Sequence, residues 1–140
     1  YGVTEALTND IDFSDVGIDS RELMAAAKQH HALAVPAHPG RFGIGLTEYI
    51  EQGESFDGLE IVERVNGGSR AGENERAEVL CQSRSYLGIG GSDAHLTSHI
   101  AACMTEFKAK ITDESSLVDA LLSKEFRAVW LKDSANGVPD

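Results

Sequence analysis

Short apolar runs alternate with amphipathic stretches along most of the chain. Ser20 has the character of a helix N-cap, and in the adjoining RELMAAAKQHH, Leu23, Ala26, Ala27 and His30 recur at helical spacing. LAVPA, residues 33–37, is an apolar run of strand length. Thr47 is placed to cap a short helix, EYIEQ, which Gly53 stops. FDGLEIVE, residues 56–63, reads as a second buried strand. GENERAEVLCQSRS, residues 72–85, predicts a helix with Ala77, Leu80 and Cys81 on one face, and YLGIGG, residues 86–91, a third strand. MTEFKAK, residues 104–110, alternates as a strand does. Thr112 and Asp113 open the helix ESSLVDALLSK, and FRAVWLK is a last strand. Residues 1–19, interrupted by Asn9, Asp10, Asp12, Asp15 and Gly17, read as loop.

This alternation predicts an α/β fold of βαβ units, with parallel strands buried on both faces. The strands end in polar residues. LAVPA runs into His38-Pro39-Gly40-Arg41, GLEIVE carries Glu60 and Glu63, and LGIGG runs into Ser92-Asp93-Ala94-His95. Titratable residues at the C-terminal ends of successive strands are the layout of a (β/α) barrel. A complete barrel takes ~250 residues, and this chain has 140. The size conflict leaves either a small open sheet or a piece of a larger domain; YGV, which reads as the tail of a strand, favours the second, one partial, TIM-like barrel domain spanning residues 1–140. An open barrel edge exposes backbone groups and apolar side chains, which predicts self-association.

Composition narrows the function. The net charge of −11 excludes a general nucleic-acid coat, because a strongly acidic chain repels phosphate backbones. A local phosphate site survives that exclusion, since a bound cation reverses the local field. No apolar run reaches the ~20 residues of a membrane helix, and YGVTEALTND has neither the basic nor the apolar region of a signal peptide. Cys81 and Cys103 form no CxxC and read as buried free thiols of a reducing compartment, with the cytoplasm as the expected location.

The chemistry concentrates at the strand ends. In extended backbone Asp93 and His95, two apart, point the same way and can reach one ion. A carboxylate with an imidazole suits Zn²⁺, Mn²⁺ or Fe²⁺. His38, at the end of another strand, is a third ligand candidate, and Pro39 directs its exit from the strand. Arg41, three residues on, is suited to a phosphate group. Glu60 and Glu63 are further carboxylate candidates. His30 and His31 suit the negative end of a helix and read as structural. His99 shares a helical spacing with His95 but carries less weight.

AHPGR, DGLEIVERVNGG, ENERAEVL and GIGGSDAH, in this order, resemble the PHP (polymerase and histidinol phosphatase) family over about residues 20–130. GSDAH is close to that family's last metal-binding motif, and AHPGR resembles the preceding His motif. The resemblance implies a distorted (β/α)7 barrel with up to three divalent ions at the strand ends, hydrolysing phosphate esters of small molecules or nucleotides. His38, Asp93 and His95 match metal ligands, and the family's glutamate falls on Glu60 or on Glu63 with Asn66 and Gly67. The family's HxHTxxS motif is absent. The chain is accordingly expected to be a C-terminal portion, inactive by itself. The alternative is a non-catalytic regulatory or interaction domain with a PHP-like fold.

Overall fold

The computed structural model describes residues 1–131. In chain order the elements are α1 (Glu5–Asp10), α2 (Ser20–Gln29), α3 (Leu46–Glu51), β1 (Ile61–Asn66), α4 (Glu73–Arg84), β2 (Leu87–Gly91), a 3-10 turn (Thr97–His99), β3 (Cys103–Phe107), α5 (Glu114–Leu122) and β4 (Phe126–Trp130). The chain divides into two compact units, one of residues 1–35 and 109–125 and the other of 36–108 and 126 onward.

The first unit is helical. The Thr4 side chain accepts from the Leu7 N–H and starts α1 within a stretch expected to be loop. Leu7 and Ile11, four apart, pack with Ala27 and Ala32 into a small core. α2 is capped by Asp19, one residue before the expected Ser20, through its contact with the Arg21 N–H. His30 closes α2 and donates from Nε2 to Asp10 at 2.6 Å, the structural role expected of it. α5 opens with a capping box in which Asp113 and Ser116 each bond the other's backbone N–H. Its buried residues are Val118, Ala120 and Leu121. Tyr1 and Leu33 exchange two backbone hydrogen bonds of 2.9 Å.

The second unit is mixed α/β. β1 and β2 are parallel, and β3 and β4 form a separate antiparallel pair. Among the described residues the strands close no barrel, and the all-parallel expectation fails at β3–β4. Both of these strands expose one charged position, Glu106 and Arg127, which lie directly opposite and form an ion pair. One solvated face is the habit of antiparallel strands. The two pairs meet at Gly90. Thr105 Oγ1 accepts from the Gly90 N–H and donates to the Gly90 carbonyl, both at 3.0 Å. A Cβ at Gly90 would collide with the Met104 carbonyl, so only glycine permits this approach.

Two expected strands are corrected. LAVPA is not a strand. Prolines at 36 and 39 remove two backbone donors within four residues, and a ladder cannot be sustained without them. Besides the Leu33 bonds to Tyr1, the segment keeps a sheet-like bond from the Glu63 N–H to the Pro36 carbonyl at 3.0 Å. FDGLE is a turn, with Gly58 at φ +81° and the Leu59 N–H bonded to the Phe56 carbonyl, and β1 begins only at Ile61. α3 starts from Gly45, leaving Thr47 buried inside its first turn instead of capping it. The core of this unit is Leu46, Leu59, Ile61, Val62, Ala77, Leu80, Cys81, Ile89 and Cys103.

Candidate active site

Three loops converge where β1 and β2 end: AHPGR, the turn after Asn66, and GSDAH. A bulge in β1 does much of the assembly. Glu63 opposes Ile89 and Val65 opposes Gly90, so the register shifts between them. In a regular strand, residues three apart face opposite sides, and one extra residue restores them to the same side. Asn66 Nδ2 thus donates to Glu63 Oε2 at 3.0 Å. The same oxygen accepts the His38 backbone N–H at 2.6 Å, tying AHPGR to the strand end. Of the two glutamates that the sequence left open, Glu63 is the one in this network, while Glu60 is exposed just before β1.

Asn66 is buried. Its Oδ1 accepts from the Gly68 N–H at 2.9 Å, and its backbone N–H donates to Asn74 Oδ1 at 2.9 Å. Asn66 also lies close enough to the Asp93 carboxyl to favour its ionised form slightly. Asp93 Oδ2 accepts from Arg41 Nη2 at 2.8 Å. That contact, more than any other, holds the Asp93 carboxyl below the usual carboxylate range, against the opposing effect of burial. His95 Nδ1 donates to the Asp93 carbonyl at 2.8 Å and lies 4.0 Å from Asp93 Oδ1. This fixes the ring's orientation and leaves Nε2 as the free lone pair.

Backbone conformation marks the same residues. His38 and Asp93 adopt positive φ, +35° and +47°, which side chains other than glycine rarely take. Conformations of this kind persist where surrounding contacts enforce them, and they cluster at functional sites. Here the enforcing contacts are those to Glu63 and Arg41. The AHPGR loop also lies directly on α4: a Cβ at Gly40 would overlap the Glu73 carbonyl oxygen and come within 2.8 Å of Ala77 N.

Glu73 carries no signal in the sequence beyond starting a helix, yet its side chain is a buried carboxylate, 2% exposed. It accepts the Arg70 N–H at 2.8 Å and the Phe42 N–H at 3.2 Å, which binds the loop after AHPGR to the start of α4. The Arg70 bond is the main reason its carboxyl sits below the usual value. Next to it, Arg76 bonds Glu48 at 2.7 Å, Glu51 at 3.1 Å and the Gly40 carbonyl at 3.3 Å. These contacts surround a cleft of about 520 Å³ lined by Arg41, Phe42, Arg70, Glu73, Asp93 and His95, among others. His99, at the end of the 3-10 turn, also reaches it.

The three expected ligands are only partly brought together: Asp93 and His95 line the cleft, and His38 is not among its lining residues. His38 Nδ1 is buried without a hydrogen-bond partner, His95 keeps Nε2, and Asp93 is ionised. Among the described residues, however, no three His, Cys, Asp or Glu side chains stand as a ready-made metal cluster. Arg41 supplies the positive charge at Asp93 instead. The cysteines take no part. Both are buried and neither is in a disulfide, and burial pushes the Cys81 thiol up to about 11.

No curated protein and no solved structure matches the chain. Residues 71–126 hold α4, β2, the GSDAH turn, β3 and α5. They match the family model described as PHP-associated.

Proposed function

We propose that the chain carries part of a metal-dependent phosphoesterase site, with the strand ends disposed as in a partial (β/α) barrel. The observation that carries the reading is the hydrogen-bonded group of His38, Glu63 and Asn66 beside the Asp93–Arg41 pair, with His38 and Asp93 both held at positive φ. His38, Asp93 and His95 are the residues that would hold a divalent ion, Zn²⁺, Mn²⁺ or Fe²⁺. Such an ion supplies a hydroxide near neutral pH and neutralises phosphoryl oxygens. Glu63 and Asn66 orient His38 and Asp93. Arg41 is poised to steady the phosphate of the ester, for which its planar guanidinium offers two parallel donors. The cytoplasm is the compartment that suits its two cysteines, which form no disulfide.

A non-catalytic regulatory or interaction domain is the second reading. It is favoured by the Arg41–Asp93 pair, which occupies a ligand oxygen with an internal cation. Phosphate release from a generic phosphomonoester, with Mn²⁺ or Zn²⁺ added, separates the two. Turnover lost in both Asp93→Ala and His95→Ala supports the esterase. Turnover that survives both variants overturns the site assignment; where the chain shows none, as expected of part of a site, Mn²⁺ binding that is lost in Asp93→Ala supports the esterase and no Mn²⁺ binding favours the second reading.

A further inference from the structure

The same cleft has an apolar wall that phosphate chemistry alone does not require. Phe42, Ile44 and Leu96 all line it, and they are 57%, 64% and 62% exposed. Large apolar side chains scattered singly over a surface need no explanation, but three gathered in one concavity beside two arginines do.

Phe42 is also held in place. Its backbone N–H is fixed by buried Glu73, and the Arg76 guanidinium lies 4.8 Å from its ring centroid. Arg76 is itself anchored by Glu48, Glu51 and the Gly40 carbonyl. A cation at this distance from a ring is attracted by its quadrupole and restricts the ring's orientation. An aromatic side chain ordered before binding loses little freedom when a ligand stacks on it.

Arg41, paired with Asp93, and Arg70, whose guanidinium is exposed and hydrogen-bonds no other described residue, also line the cleft. A ligand that satisfies both features has an anionic group at the arginines and a flat apolar part at Phe42.

We infer that Phe42 is the specificity-determining residue of this cleft, and that the phosphate ester it takes carries a planar ring which stacks on Phe42. This rests on the phosphoesterase reading and adds the class of organic group to it. Stacking on an aromatic side chain changes affinity by roughly ten- to a hundredfold on alanine substitution.

The test uses two phosphonates that cannot be hydrolysed at the ester, phenylphosphonate and methylphosphonate, titrated calorimetrically into the 140-residue chain. The readout is the ratio of their affinities, with far-UV circular dichroism checking the fold of each variant. The expected result is a preference for phenylphosphonate of roughly tenfold or more. That preference is expected to collapse in Phe42→Ala and to be kept in Phe42→Trp. Equal binding of the two ligands by the unaltered chain overturns the inference, as does an undiminished preference in Phe42→Ala. In either case measurable methylphosphonate binding leaves the phosphoesterase reading standing. If neither phosphonate nor inorganic phosphate binds, with or without Mn²⁺, the inference falls together with that reading.

Discussion

Replacing Gly40 with alanine tests whether the AHPGR loop lies directly on α4. The added Cβ would overlap the Glu73 carbonyl oxygen and crowd Ala77 N at 2.8 Å and the Glu73 carbonyl carbon at 3.0 Å. All three atoms are backbone in the first turns of α4, so neither side can yield by rotating a side chain. Overpacking of this kind costs about 3 kcal/mol at the upper end of its usual range. Restriction of the unfolded chain returns about 0.5–1 kcal/mol. The net expectation for Gly40→Ala is a loss of about 2 kcal/mol or more.

Gly43 is the control, three residues away in the same loop. A Cβ there meets nothing within 4 Å, but φ is +83°. Gly43→Ala bears only the left-handed backbone cost of about 1–2 kcal/mol, offset by the same unfolded-chain effect. Urea unfolding followed by Trp130 fluorescence and circular dichroism measures both. If Gly40→Ala is no less stable than Gly43→Ala, the loop does not rest on α4, and the placement of His38 and Arg41 falls with it.

Thiol reactivity and acid stability probe other parts of the chain. Cys81 and Cys103 are buried, and burial raises the Cys81 thiol to about 11, so a disulfide reagent at pH 8 is expected to modify neither in the folded chain and both in urea. Fast modification of Cys81 without denaturant would contradict its burial. Asp113 has its carboxyl held below the usual value, chiefly by the Ser116 N–H. Its cap therefore stabilises α5 fully above the unfolded-chain pKa of ~3.9 and is lost as pH falls through the lower folded value. Asp113→Asn keeps the cap without the titration. Its stability relative to the unaltered chain is expected to improve between pH 5 and pH 2, and a constant difference across that window would refute the assignment.

The elements legible in the sequence are those with strong local pattern. α2, α4, α5 and β2 fall within one or two residues of their expected bounds. Apolar content misled where backbone donors were missing, at the two prolines flanking Ala37-His38, and where Asp57-Gly58 made a turn inside an apolar run. Strand direction was not readable from five-residue strands, and Glu106 opposite Arg127 was the local sign of an antiparallel pair. At the site, the sequence singled out His38, Asp93 and Arg41 because their types suit metal and phosphate; the structure sets Arg41 on Asp93, while His38 follows a segment that forms no strand. Choosing Glu63 over Glu60 needed the β1 bulge, which no periodicity displays. Glu73 and Phe42 were invisible as site residues, because a carboxylate at a helix start and an aromatic after AHPGR are common and their roles depend on how the loop packs on α4.

Titration with Mn²⁺, with free ion followed by electron paramagnetic resonance, decides whether the proposed ligands His38, Asp93 and His95 hold a cation in this chain. Weak binding by the unaltered chain is expected, because Arg41 competes for Asp93, with loss of that binding in Asp93→Ala and in His95→Ala. Mn²⁺ uptake by those two variants equal to that of the unaltered chain, or no uptake by any of the three, would contradict it.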